Sequence, residues 1–271
     1  MKSKNYLFLT TYSLLLILLA FGCLKSKPYI RSFDYRKNQK AKFLFDQGLA
    51  FKENGQYEEA VIEFQHFLDY YQDLHGADEA LLHIGESYQA LGQCNEAINA
   101  CRKLEKKYPD SRLLPRLMLN RGECYEELSN WDEAVLNYAK VIGKYFQTED
   151  SQKAEDRLVE LIRKFPSSKG AKKAVKRINK KFPYKKYPSF DFAPRVLFVQ
   201  AEALEKEMQS KEAVDQYASI VSDYYQTKWK DRAVERINQI LDKFKDTKWA
   251  EKKRKKLDKT IEKQDKKLKK G

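Results

Sequence analysis

Small and apolar residues return along this chain at a fixed step. Gly48, Phe51, Ala60, Phe64 and Phe67 are followed 37 residues later by Gly85, Tyr88, Ala97, Cys101 and Leu104. A further 37 residues on stand Gly122, Tyr125, Ala134, Tyr138 and Val141. The alanine of this pattern recurs at Ala60, Ala97, Ala134, Ala171, Ala213 and Ala250, with spacings of 37, 37, 37, 42 and 37 residues. A shift of 79 residues gives a second register. It lays Pro115-Arg116 on Pro194-Arg195, Glu133-Ala134-Val135 on Glu212-Ala213-Val214, and Arg157 on Arg236. The second half is therefore a copy of a pair of units. Only 10 Gly and 7 Pro interrupt the chain, so the units are predicted to be helical. Glycine costs about 1 kcal/mol inside a helix, and its return at 48, 85 and 122 points to a packing requirement. One such unit cannot cover its own apolar face, so the units must stack.

The pattern resembles the tetratricopeptide repeat. The resemblance implies an all-α solenoid of helical hairpins, about six repeats of 37 residues spread over residues 41–262. The small residue of each first helix would face the alanine of the second, with large side chains filling the space on either side. Pro109 and Pro183 fill the slot that ends such a repeat. The fourth and sixth units depart from the pattern, with Val159 and Asn238 where a small residue belongs, and the sixth also carries Arg254 at a packing slot. The expected organisation is repeats one to four over 41–182, an aromatic and proline-containing connection over 183–193, repeats five and six over 194–262, and a basic tail over 263–271.

Charge changes the picture next. The 53 Lys and Arg against 39 Asp and Glu leave a net charge of +14. That excess is not spread evenly. Residues 41–160 sum to −10, residues 161–190 to +11 without a single acid, and residues 251–271 to +7. A uniformly basic nucleic-acid-binding surface is excluded by this distribution, and no nucleic acid partner is expected. The basic block is predicted to present Arg163, Lys164, Lys172, Lys173, Lys176 and Arg177, either as a solvated face or toward something anionic.

The amino terminus reads as an address. Lys2 and Lys4 precede an apolar run over residues 6–21, and the chain turns polar at Lys25. A charged start, an apolar stretch and a small residue before a cut are the marks of a signal peptide, here 1–22. Leu19-Ala20-Phe21-Gly22-Cys23 resembles a bacterial lipoprotein lipobox, in which the cysteine carries the acyl chains (palmitate among them). Cys23 would then be the lipidation site at the head of a basic linker, 23–40. An uncleaved apolar anchor is the alternative reading of the same run.

No catalytic set is expected, nor any cofactor or metal. The three histidines, His66, His75 and His83, stand without a metal-ligand or phosphate-loop motif. Cys101 and Cys124 occupy slots on neighbouring units where a disulfide would join them; buried free thiols are the plainer reading. The repeat resemblance implies that the first helices line a concave face. The partner groove would comprise an apolar row, Phe45, Leu49, Leu82, Leu119 and Phe198, beside an acidic row, Glu86, Glu123, Glu126 and Glu202. Lipidated repeat proteins with wording such as Tyr57-Glu58-Glu59-Ala60 and Lys107-Tyr108-Pro109-Asp110-Ser111 resemble BamD-type outer-membrane assembly lipoproteins and CpoB-type cell-wall coordinators. That resemblance implies a non-catalytic envelope scaffold, lipid-anchored at the outer membrane and facing the periplasm. Its partners would be a barrel-assembly subunit or nascent outer-membrane proteins. The alternative implied is a lipoprotein that binds cell-wall or other anionic polymer.

Overall fold

The computed structural model describes residues 34, 36, 38–183 and 191–269. Among the described residues there are twelve α-helices and no named strands. They are α1 (Gln39–Glu53), α2 (Tyr57–Tyr71), α3 (Ala77–Ala90), α4 (Cys94–Lys107), α5 (Leu114–Glu127), α6 (Trp131–Lys144), α7 (Glu149–Lys164), α8 (Lys169–Lys181), α9 (Phe192–Lys206), α10 (Ser210–Asp223), α11 (Lys228–Lys243) and α12 (Lys248–Leu268). The expected all-α solenoid is the fold observed. The duplication is visible in the helix ends. Shifting α6 and α7 by 79 residues lands on α10 and α11 at both ends.

The starts and stops follow local chemistry. Asn38 caps α1 by accepting from the amides of Lys40 and Ala41. Thr148, Ser168 and Thr247 cap α7, α8 and α12 with one side-chain oxygen each. Pro115 sits in the first turn of α5, where its missing N–H is harmless. The turn between the two helices of a repeat has one geometry in units one, two, three and five. The amides of Gln56, Gln93, Asn130 and Gln209 donate back to the carbonyls of Phe51, Tyr88, Tyr125 and Leu204 at 2.8–2.9 Å. That closing bond puts the preceding residue in the left-handed region. Gly55 and Gly92 take it at φ +77° and +70°, whereas Ser129 and Met208 take it at +55° and +60°.

Packing turns on close crossings. At Gly48 an added Cβ would lie 2.9 Å from the Phe64 ring, and at Gly122 it would lie 2.3 Å from the Tyr138 ring. Glycine is what lets these rings approach the helix backbone so closely. Phe64, Tyr138 and Tyr217, which recur at the same slot, are all fully buried. The first two repeats form one apolar cluster around Phe45, Phe64 and Phe67; the main core runs from Leu81 to Leu257.

The fourth unit is not the closed hairpin the repeat predicts. Helices α7 and α8 scarcely touch each other, and α6 packs on both. Two residues explain this. Val159 is buried at the slot where the closed hairpins have a small residue, so the close crossing is not available here. Gly170 gives α8 a different neighbour. Its amide donates to Asp132 Oδ1 at 2.7 Å, and an added Cβ would lie 2.6 Å from the Asp132 Cα. In the sixth unit, where Asn238 fills the same slot as Val159, α12 packs loosely on both α10 and α11, which pack closely on each other.

Two stability outcomes follow from the crossings and the turns. Gly122→Ala is expected to lower stability by about 1–3 kcal/mol, because the ring of Tyr138 has to move. Met208→Gly is expected to raise it by about 0.5–1 kcal/mol, since glycine removes the left-handed strain at an exposed turn. Urea midpoints measured at constant slope check both.

Candidate concave face, basic face and thiol pair

The first helices of successive repeats, α1, α3, α5, α7, α9 and α11, stack side by side and carry the expected groove residues. The apolar row does not face a partner. Phe45, Leu82, Leu119 and Phe198 are buried in the core, and only Leu49 is half-exposed. The cause is close stacking. Phe45 meets the Phe64 and Phe67 rings edge-on at 5.3 Å, and Phe198 meets Tyr217 at 5.1 Å and Trp229 at 5.2 Å. These side chains support the face from beneath.

The acidic row does reach the surface, but two of its four members, Glu86 and Glu126, are held in ion pairs with the neighbouring repeats. Glu86 receives Lys52 of α1 and lies 2.7 Å from Arg116 Nε of α5, with His83 beside it at 3.6 Å. Burial pushes the Glu86 carboxyl up, yet His83, Lys52 and Arg116 outweigh it and hold it at about 2. Glu126 accepts from Arg157 of α7 at 2.8 and 3.1 Å and from the Tyr138 hydroxyl at 2.7 Å. The copy repeats this pair as Glu205 with Arg236 of α11 at 2.7 Å. Arg195 lies 4.0 Å from Asp156. Glu123 accepts from Gln89 of α3 at 2.9 Å. Glu202 is half-buried and has no ion-pair partner among the described residues. The concave face is thus a ladder of carboxylates and cations, mostly arginines, each rung joining two repeats. The 79-residue shift already superposed Arg116 on Arg195 and Arg157 on Arg236; what it lacked was their pairing with the acidic row.

Helix α8 and the end of α7 carry the basic face. Arg163, Lys164, Lys172, Lys173, Lys176 and Arg177 are all exposed. Lys164 lies over the Trp131 ring at 5.0 Å. Gly170, Ala171, Ala174, Val175 and Ile178 form the buried side of α8.

The plainer reading of the cysteines is the one observed, and the alternative Cys101–Cys124 bond is not formed. Cys94, Cys101 and Cys124 are free and buried. Cys124 packs with Cys94, Ala97 and Ile98 in a small cluster, whereas Cys101 lies in the main core. Cys101 fills the packing slot of its own hairpin and so points away from α5's Cys124. The thiols that meet are Cys94 and Cys124, and Cys94 Sγ donates to Glu127 Oε2 at 2.9 Å. Burial pushes Cys101 up to about 11 and raises the other two as well. His66 and His75 are exposed, and among the described residues no group of three or more metal-ligating side chains gathers. Cys23 lies outside the described residues, as do Tyr184, Tyr187 and Phe190 of the aromatic connection. No helix among the described residues is long and apolar enough to cross a membrane.

The fold and the face define a helical-repeat scaffold. Residues 43–73, 79–111 and 116–148 match the family model of the tetratricopeptide repeat. The chain therefore carries tetratricopeptide repeats in its first three units, and repeats of this kind indicate protein–protein interaction. No curated protein matches. Among solved structures it is similar to MamA protein, with 18% identity over 67% of this chain and 90% of that one and a TM-score of 0.42. It is similar to YrrB, described as a TPR protein with an unusual peptide-binding site, at 11% identity over 69% and 88% of the two chains, TM-score 0.42. It is also similar to the TPR2AB domain of yeast Sti1 in complex with pHSP90, at 14% identity over 83% and 98%, TM-score 0.40.

The paired state of Glu86 makes a pH-dependent prediction. A carboxyl held below its ordinary 4.5 stabilises the fold above that value, and the contribution is lost as pH falls toward 2. Glu86→Gln is expected to cost on the order of 1–3 kcal/mol at pH 7, discounted for the exposure of Arg116. The gap to the parent should narrow steadily below pH 4.5 in urea titrations.

Proposed function

We propose that this chain is a non-catalytic scaffold of the bacterial cell envelope, tethered to the outer membrane through Cys23 and serving outer-membrane β-barrel assembly. The observation that carries the scaffold reading is the unbroken row of first helices, a long face built for an extended or helical partner segment. The tether rests on the apolar run at 6–21 and on the likeness of residues 19–23 to a lipobox. The assembly role rests on the resemblance to BamD-type lipoproteins alone.

The ladder sets the terms of binding. A partner reaching this face meets carboxylates already neutralised by Arg116, Arg157, Arg195 and Arg236, so it must exchange one ion pair for another. Glu123 and Glu202 are the carboxylates least committed to internal cations, and they are the positions where a partner's lysine or arginine gains most.

Affinity purification from membranes, followed by mass spectrometry, tests the reading. Recovery of a barrel-assembly subunit is the expected result; recovery of cell-wall enzymes alone would overturn the pathway. Paired Glu123→Ala and Glu202→Ala substitutions are expected to lower partner recovery several-fold without unfolding the chain, and unchanged recovery would remove the groove from the account. Cys23→Ser is expected to abolish incorporation of labelled palmitate and to block processing before residue 23, read by the mass of the mature protein.

A further inference from the structure

The basic face on α8 differs from the concave ladder in that, among the described residues, no carboxylate pairs with it. Lys172, Lys173, Lys176, Arg177 and Lys180 form one exposed stripe along the helix, opposite the buried side that packs on α6. The helix contains no acidic residue. Among the described residues, no carboxylate lies within ion-pair distance of these five or of Arg163. The concave arginines, by contrast, are paired one by one.

The duplicated module supplies an internal control. The 79-residue shift places α7 on α11 and the start of α8 on the start of α12. Arg163 falls on Asp242 and Lys172 falls on Glu251. In the second copy both acids are used: Asp242 accepts from Arg254 at 2.7 Å and Glu251 from Lys255 at 2.6 Å. The same helix ends therefore form with acids at these positions. Folding does not require the first copy to be purely basic, and like charges spaced four apart on α8 work slightly against its helix. At these two positions the basic residue is one the fold tolerates rather than one it needs; the other four stripe positions are lysines in the second copy as well, Lys252, Lys255, Lys256 and Lys259.

We infer that this stripe, with Arg163, docks against the headgroups of an anionic phospholipid bilayer. The composition selects lipid over protein. The stripe is four lysines to one arginine, all exposed on one helix face. Lysine's hydrated ammonium suits diffuse attraction to a charged surface, whereas lysine is depleted where proteins bury specific contacts against each other. The chain's own beginning supplies the second argument, and here the inference rests on the tethered reading. An anchor at 6–23 leaves a linker to Asn38 that spans at most about 50 Å, which keeps the array beside a bilayer. A basic face on the array would then fix which side of it lies down.

The test uses the full chain with vesicles of phosphatidylcholine, with and without phosphatidylglycerol, at low and at high salt. Sedimentation with neutral vesicles reads the apolar amino terminus. Acetylation footprinting by mass spectrometry reads the face. Lys172, Lys173, Lys176 and Lys180 are expected to be protected several-fold by phosphatidylglycerol at low salt, and not by neutral vesicles or at high salt. Lys211 and Lys245, exposed elsewhere, should keep their reactivity. The variant R163D/K172E carries the second copy's residues at both positions, so it is expected to fold. It should lose the protection and bind anionic vesicles on the order of tenfold more weakly. Equal reactivity of the four lysines on both vesicles would overturn the inference, whether or not the chain sediments. Protection by polyglutamate with none from vesicles would also overturn it, in favour of an acidic protein or polymer. Failure to sediment with neutral vesicles, with the phosphatidylglycerol footprint intact, would remove the tether and leave the face.

Discussion

The distance between two helix backbones at a crossing is set by the largest side chain trapped there. In this chain a glycine faces an aromatic ring at Gly48 with Phe64 and at Gly122 with Tyr138, so the ring lies against bare backbone. That contact closes the hairpin, and the closed hairpin presents a face that only the next repeat can cover. Where the crossing slot holds Val159 the hairpin opens, and its second helix seeks the neighbouring unit through Gly170. The change of packing in the fourth unit therefore follows from two positions, Val159 and Gly170.

The same stacking decides what is left for function. Because successive first helices approach closely, their large apolar residues are consumed as core, and the surface between them is polar. Long cations from one repeat then reach carboxylates on another, giving Lys52 and Arg116 on Glu86, Arg157 on Glu126, and Arg236 on Glu205. A face built in this way holds its shape before a partner arrives and binds by exchange of ion pairs, which favours selectivity and salt sensitivity over raw affinity.

Much of the fold was legible in the chain because each repeat restates the same steric demand. The recurrence of Gly48, Gly85 and Gly122 located the crossings, and the 79-residue shift located the duplication to the residue. Val159 and Asn238 flagged the two atypical units, though not where α8 and α12 would go instead, since that depends on Gly170 and on space between distant helices. The groove was legible only in part. Helical spacing puts Phe45, Leu82, Leu119 and Phe198 in one row along the first helices, but the depth of a side chain depends on how tightly neighbouring helices pack. The free, buried state of the thiols was legible, but which two of them meet was not. Cys101 and Cys124 sit on adjacent helices, yet which thiol turns toward Cys124 is set by helix rotation, and that turned out to be Cys94.

The central claim is that the first-helix row is where this scaffold holds its partner. Zero-length coupling of carboxylates to amines on intact membranes, with the joined peptides read by mass spectrometry, addresses it directly. The account predicts partner lysines joined to Glu123 and Glu202. Partner links confined to the acids of the second helices, such as Glu133 and Glu212, would contradict it.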